Sequence, residues 1–427
     1  MYGFVLIIAA IITLLWPIFQ LSYIKYGKVK LQLPKAERKN SDFFSIIVAI
    51  KGEAISTVKE LVENLSSLDY DNYEVLIISD DDERYFTKLS ESLSLPSNFK
   101  LIRRENNRGK KAGALNYGVS LARGYYLVFL DAEARVDKDF LKRLNGRIRE
   151  AVAFRLKVRN DNFPLGKIYS SGTEYSMDVL FKGRYIKGRI IIPNGSAFAI
   201  RKDVLIRVGG WKEGVITEDL ELGIRLALRG VKVEYLDDVI VYTLSPFNSI
   251  DLYRQIERWA YGSAQLLRES FSLLKLGVNG FEAFLYSQQW GLYPLYLFVL
   301  IIIAALQPLL RISIWYFISS FLILGIIGGF IYAKLGTHGD VRSEIATYLA
   351  SLIGYFKGIT GIKYEWRTTP KTPEESKKRQ SVKEISILMY ILLIFSYLDV
   401  MFRAYFSSIV LLGIALMCMY FNNITVF

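Results

Sequence analysis

The sequence predicts an α/β domain inserted between an N-terminal transmembrane helix and a C-terminal all-α membrane region. Three observations predict it. The chain opens with "MYGFVLIIAAIITLLWPIF", about long enough to cross a bilayer. Some 245 residues follow without a membrane-length apolar run, and they alternate strand-like with helix-like patterns. Beyond them, apolar runs return near 290–310, 312–333, 385–401 and 404–421. That makes about five spans, the fourth cut short by Asp399.

A 52% hydrophobic content over 427 residues is too apolar for a wholly soluble chain of this size. The first run lacks a basic leading region and a small-residue cleavage site, so it reads as a retained anchor. Lys25, Lys28, Lys30, Lys35, Arg38 and Lys39 follow it and place what comes next in the cytosol. The loop 334–384 carries ten Lys/Arg against six Asp/Glu and falls on the same side. The expected division is an anchor and basic linker over 1–42, a cytosolic catalytic domain over 43–275, and a membrane region over 276–427 with interfacial helices and about four spans. The stripe Ile345, Leu349, Leu352, Phe356 and Ile359 reads as one such interfacial helix.

Within the soluble stretch, "FFSIIVAI" (43–50) reads as a buried strand. A helix follows, with Ile55, Val58, Leu61, Val62 and Leu65 on one face and Thr57/Glu60 spaced as a capping box. "YEVLII" (73–78) is a second strand, ending at Asp80, Asp81 and Asp82. "KAGALNYGVSLARG" (111–124) places Leu115, Val119 and Ala122 at helical spacing, with Gly124 as its stop. "YYLVFL" (125–130) is a third strand, ending at Asp131. This alternation argues for a parallel sheet covered by helices. In such sheets ligands bind beyond the carboxyl ends of the strands. Asp80/Asp81 and Asp131/Glu133 therefore meet on one edge, where carboxylates repel each other unless a cation sits between them. Mg²⁺ or Mn²⁺ suits those oxygens and is commonly shared with substrate phosphates. No GxxxxGK[ST] or GxGxxG loop competes for a nucleotide.

Thr217-Glu218-Asp219 opens another helical pattern, with Leu220, Ile224, Ala227 and Leu228 on one face. A helix start lowers a carboxylate's pKa, which keeps Asp219 charged and able to take a proton. Gln255, Arg258 and Trp259 stand at i, i+3 and i+4, on one helical face. The guanidinium suits a diphosphate and the indole suits a sugar ring.

"NNRGKKAGALNYG", "FLDAEARVD", "GSAFAIRKDVLIRVGGW", "TEDLELGIRLALRG" and "QIERWAYG" occur in an order that resembles the membrane-integrated family 2 glycosyltransferases. That family includes cellulose, chitin and hyaluronan synthases and related glycolipid-forming enzymes. The resemblance spans about residues 43–270. It implies a GT-A nucleotide-diphospho-sugar transferase fold and an inverting transfer. It further implies Asp219, with Glu218, as the catalytic acids, Asp219 being the general base. Glu53, Asp80, Asp81, Lys111, Asp131, Gln255 and Arg258 would bind the donor. Trp259, Gly195 and Ser196 would meet the acceptor, and Asp131 with Glu133 would hold Mg²⁺ or Mn²⁺. A UDP-sugar donor and a β-linked polysaccharide product at the cytosolic face of the cell membrane follow by the same resemblance. A single-step glycolipid synthase is the alternative: "VAIKGE" is similar to the ceramide glucosyltransferase branch, whereas "KAGALN" is similar to polysaccharide synthases.

Competing classes fit less well. A transporter leaves the large α/β insertion unexplained, and ionisable residues within the spans are few. A non-catalytic scaffold leaves unexplained why acids stand at all three carboxylate sites. The net charge of +13 falls beside the spans, where lipid headgroups account for it without nucleic acid. The single cysteine, Cys418, excludes an intrachain disulfide, and His338 reads as an exposed loop residue.

Overall fold

The computed structural model describes residues 2–31, 41–336, 339–364, 369–376 and 382–424. His338, the basic residues Lys35, Arg38 and Lys39, and positions 365–368 lie outside them. The chain divides into two compact units. A sheet unit comprises residues 25–245 and 268–283, and a helical unit comprises the described parts of 1–24, 246–267 and 284–427. The boundary departs from the expected 43–275, because residues 246–267 cluster with the other helices.

The strands are β1 (Phe44–Ile50), β2 (Tyr73–Ser79), β3 (Phe99–Arg103), β4 (Tyr126–Leu130), β5 (Arg135–Val136), β6 (Ala151–Val158), β7 (Phe198–Arg201) and β8 (Val233–Thr243). The helices named below are α1 (Phe4–Leu21), α2 (Ile55–Ser66), α3 (Lys110–Leu121), α4 (Glu218–Leu228), α5 (Ser249–Gln265) and α6 (Val341–Thr360).

Continuous apolar strands followed by helices give a parallel half-sheet, β3-β2-β1-β4, as expected. The remainder differs. β7 runs antiparallel to β4 and to β6, and β5 runs antiparallel to β8, so the eight-stranded sheet is mixed. Alternation along β1 sends Ile46, Val48 and Ile50 to one core cluster with Val58, Leu61, Val62 and Leu65 of α2. Ile47 joins the opposite cluster with Leu115, Val119 and Ala122 and with Leu222 and Leu226 of α4. The register Ile50↔Ser79 and Val48↔Leu130 aligns the carboxyl ends of β1, β2 and β4. The acidic residues after β2 and β4 thus share one edge.

Three local expectations change. α2 starts at Ile55 after Ala54, with no side-chain cap; Glu60 instead bonds Arg135 at 3.0 Å. Gly124 is not a helix cap, since α3 ends at Leu121. It is required because a Cβ there would lie 2.5 Å from the Ser45 nitrogen. On α4 the buried side is Leu222, Gly223, Ile224 and Leu226, whereas Leu228 is exposed. The contact with Ile192 sets that rotation, leaving no room for a side chain at Gly223.

Among the described residues, Phe4–Gly27, Ile314–Leu335, Lys383–Met401 and Tyr405–Asn422 are each long and apolar enough to cross a membrane. A fifth span is reached there only if the bent pair Leu267–Ser287 and Gln289–Ala305 counts as one. Asp399 lies inside Lys383–Met401 and is fully buried rather than ending it early. α6 packs along α5 so closely that a Cβ at Gly354 would lie 2.4 Å from the Glu257 carbonyl. Lys357 bridges Glu257 at 2.6 Å and Glu384 at 3.0 Å. The apolar stripe on α6 is therefore divided: Ile345, Leu349 and Leu352 are buried, and Phe356 and Ile359 are exposed.

The junction before β4 is held by Glu74, whose carboxylate is buried on β2. It accepts the Ser45 hydroxyl at 2.7 Å, the Arg123 backbone N–H at 2.6 Å and the Arg123 Nε at 2.8 Å. Burial alone would raise its pKa; the Arg123 N–H, the Ser45 hydroxyl and the Arg123 charge outweigh burial and lower it. A depressed folded-state pKa contributes stability above the unfolded value, near 4.3, and that contribution disappears as pH falls through the folded value. Glu74→Gln should cost about 1–3 kcal/mol at neutral pH. In thermal unfolding, the gap from wild type should narrow in acid.

Candidate active site

Three chain segments build the site: the turn after β4, the head of α3 and the head of α4. The approach to α3 is fixed from β2. Asp80 grips Arg104 with both oxygens, at 2.6 Å each. Arg104 in turn donates to the Arg108 carbonyl at 3.0 Å and the Lys110 carbonyl at 3.2 Å. Asp80 therefore shapes the loop that launches α3. Gly109 and Lys110 both take left-handed backbone angles there, with φ of 76° and 51°. For the lysine this is a costly conformation, and it aims the next residue, Lys111. Asp81 fixes the end of β1, accepting the Gly52 N–H at 2.6 Å and the Ser79 hydroxyl at 2.8 Å. Glu53 follows directly, its carbonyl accepting the Tyr85 hydroxyl.

Lys111 is where the acids converge. Its Nζ lies 2.9 Å from Asp131 Oδ1 and 3.0 Å from Glu218 Oε1. Burial alone would lower its pKa, but Asp131 and Glu218 overcome this and hold the ammonium charged. Asp131 sits at the start of a turn closed by the Ala134 N–H onto its carbonyl. Glu133, half-buried in the same turn, carries the second carboxylate of "DAE".

Asp219 has a different environment. Its Oδ2 accepts the Gly195 N–H at 2.9 Å, and its Oδ1 accepts the Leu220 N–H at 2.8 Å. A helix start alone would lower this pKa. The pKa is instead raised: burial is the largest cause and the Glu218 charge the next, and Lys111 and the two amide donors do not offset them. A carboxylate with raised pKa is the stronger proton acceptor.

Two clamps with no local sequence signature hold the loop 208–214 against this site. Asn116, the last residue of "KAGALN", donates to the Trp211 carbonyl and accepts the Trp211 N–H, each at 2.8 Å. Arg225 pairs with Glu221 at 2.6 Å and donates to the Val208 and Gly210 carbonyls. The indole of Trp211 meets Phe129 of β4 edge-on, with centroids 4.9 Å apart. The signal was present in sequence as an amide on α3 and a Gly-Gly-Trp turn, but their pairing across 95 residues was not readable.

Residues 126–332 match the model of glycosyl transferase family group 2. Over those residues the chain is similar to family 2 glycosyltransferases. It is 34% identical over 239 residues to a probable glycosyltransferase of Sulfolobus acidocaldarius, covering 54% of this chain and 51% of that protein. The aligned stretch thus spans about half of that relative's length. A poly-β-1,6-N-acetyl-D-glucosamine synthase of Staphylococcus aureus is 26% identical over 283 residues, 64% of this chain and 68% of that one. Among solved structures, the mannosyltransferase PcManGT from Pyrobaculum calidifontis, in complex with GDP-mannose and Mn²⁺, superposes with a TM-score of 0.58. It shares 17% identity and covers 85% of this chain and 100% of its own. The fold is GT-A, as the resemblance implied.

The sheet unit thus brings Lys111, Asp131, Glu218 and Asp219 together. Gly195 supports Asp219 through its N–H, and Ser196 is half-buried beside it in the chain. Gln255, Arg258 and Trp259 lie on α5 in the helical unit, as a helical face was expected to place them. Trp259 packs on Trp290 with centroids 5.4 Å apart, and the Gln255 Oε1 is buried without a partner among the described residues. No group of three or more His, Cys, Asp and Glu side chains that could hold a metal ion by itself occurs among the described residues. The oxygens at Asp131 still fit a hard divalent cation. Such an ion is usually held by one or two carboxylates plus substrate phosphates, and Asp131 already binds a cationic group.

Removing the ammonium leaves Asp131 and Glu218 unneutralised. Lys111→Met should destabilise the sheet unit by about 1–3 kcal/mol in thermal or denaturant unfolding. Adding Asp131→Asn should recover part of that loss, because one of the two crowded charges is gone.

Proposed function

We propose that the chain is a membrane-bound inverting glycosyltransferase. It moves a hexose from a nucleotide sugar, most simply a UDP-sugar, onto a growing β-linked polysaccharide at the cytosolic face of the cell membrane. The observation that carries this reading is the pairing of charges around Lys111. Asp131 and Glu218 are neutralised by the ammonium, while Asp219, next to them, is held by backbone amides alone and has a raised pKa.

Asp219 takes the proton of the acceptor hydroxyl as that oxygen attacks the anomeric carbon. A new C–O bond forms on one face as the bond to the diphosphate breaks on the other, so the configuration inverts. The Gly195 N–H holds the Asp219 carboxylate in place. Asp131 with Glu133 would hold Mg²⁺ or Mn²⁺, which when bound neutralises charge on the departing diphosphate. Lys111 and Arg258 supply cationic charge to the same group. Glu53, Asp80 and Asp81 belong to the donor side, Asp80 acting through Arg104. Gln255 also serves the donor, and Trp259, Gly195 and Ser196 serve the acceptor side.

Likeness to a poly-N-acetylglucosamine synthase supports polysaccharide as the product. A lipid acceptor is the second reading, supported by the helices long and apolar enough to lie in a bilayer. Nucleotide release from a panel of UDP- and GDP-sugars, with Mg²⁺ or Mn²⁺, identifies the donor. Asp219→Asn should lower turnover by about 10²–10⁴-fold while nucleotide binding is retained. Wild-type turnover in that variant would remove Asp219 as the base. Because the base works only when deprotonated, its raised pKa should place the acid limb of kcat/KM above the ordinary aspartate value, near 3.9.

A further inference from the structure

The outer half of β6 carries two cations that no structural pairing explains. Phe198 of β7 is in register with Phe129 of β4 and with Ala153 of β6, so β4 and β6 run parallel, two strands apart. β7 begins at Phe198, and β6 from Arg155 to Val158 pairs with β8 alone. Just before β7 lies Gly195, whose N–H holds Asp219. The turn 131–134 leads from β4 to β5 across the ends of β6 and β8, because the sheet order is β4-β7-β6-β8-β5. It passes Arg159, whose guanidinium lies 3.5 Å from the Glu133 carbonyl.

Ala153 and Phe198 share a core cluster with Leu222 and Leu226 of α4, the helix that begins at Glu218 and Asp219. Alternation along β6 puts Arg155 and Lys157 on that same face. Arg155 is neutralised there by Asp178 at 2.9 Å and Asp237 at 2.6 Å, and Lys182 meets the same acids at 3.0 and 3.3 Å. Arg135 of β5 is also engaged, bonding Glu60 and three backbone carbonyls. Lys157 is different. It is half-buried, yet it has no ion pair or side-chain hydrogen bond among the described residues. Arg159 has only the Glu133 carbonyl and Glu60, the latter at 4.0 Å. Tyr242 of β8 stands in register between Arg135 and Lys157, so an aromatic ring lies in the same row. Positive charge persists at this end of the sheet: burial lowers the Arg135 pKa, and the Arg159 charge lowers it further.

We propose that Lys157 and Arg159 form an acceptor subsite for an anionic group, a carboxylate or a phosphate, with the Tyr242 ring as the apolar surface beside it. The proposal rests on the transferase reading in one respect. There, Lys111 and the metal at Asp131 take up the donor's diphosphate, which leaves this second pair of cations to the other substrate. A neutral acceptor would leave a half-buried ammonium without a counter-charge; an anionic one completes it.

Four probes are titrated calorimetrically into the full-length chain in non-ionic detergent. Two are saccharides: a tetrasaccharide of alternating glucuronate and N-acetylglucosamine, and neutral N-acetylchitotetraose. The others are citronellyl phosphate and citronellol. At least one anionic probe should bind about 10–100-fold more tightly than its neutral counterpart. Lys157→Gln with Arg159→Gln should remove that preference, and Lys157→Arg should keep it. Lys100→Gln, at an exposed position of β3, should leave it at the wild-type level. Preference for the glucuronate tetrasaccharide identifies a uronate-bearing glycan as the acceptor; preference for citronellyl phosphate identifies a lipid phosphate. Equal affinity for charged and neutral probes overturns the proposal, and so does a preference that survives the double substitution. Nucleotide release from the donor panel is scored separately, so failure of the transferase reading and failure of this subsite give different results.

Discussion

A single ammonium holds together segments that are far apart in the chain. Lys111, at the head of α3, binds Asp131 beyond β4 and Glu218 at the head of α4. Without that cation, two carboxylates would face each other at close range with a third, Asp219, next in sequence. The other acids around it are neutralised pairwise by the same logic: Asp80 by Arg104 and Glu221 by Arg225. Asp219 receives only amide hydrogen bonds from Gly195 and Leu220. Burial and the neighbouring Glu218 charge therefore leave this one carboxylate with raised proton affinity, in the place where the proposed chemistry needs a base.

The parts of the fold readable in sequence were those built from local periodicity. β1, β2 and β4 are unbroken apolar runs, and α2 and α3 repeat their buried residues at helical spacing, so their positions follow from short-range pattern. The antiparallel strand β7 is only four residues long and borrows its order from β4 and β6. β8 carries an insertion, since Leu236 faces Phe154 while Ile240 faces Arg155. Asp237 and Asp238 in that bulge are fixed by Arg155 and Arg147. Neither feature has a periodic signature.

The site divides in the same way. Acid residues at strand ends were legible because the strands were. Arg104, Asn116 and Arg225 were not, because each acts through a partner elsewhere in the chain or through backbone carbonyls. The pKa direction at Asp219 differs from the sequence expectation for a related reason. The helix start was visible in sequence, whereas the burial and the Glu218 charge that outweigh it appear only in three dimensions. In the helical unit, Gln255, Arg258 and Trp259 share one helix as spacing required. That helix is held by α6 through Gly354 and through the Glu257–Lys357–Glu384 bridge. The sequence showed an apolar stripe on α6 but not the small residues that let the two helices touch.

The proposal turns on Asp131, the carboxylate that Lys111 neutralises and that is proposed to hold a divalent cation on the donor diphosphate. A structure of the full chain with nucleoside diphosphate and Mn²⁺, solved with anomalous diffraction, tests this most directly. The account predicts an anomalous peak within coordination distance of Asp131, with Lys111 still bound to Glu218 and turned toward the diphosphate. A peak elsewhere, with the Lys111–Asp131 pair unchanged, would contradict it.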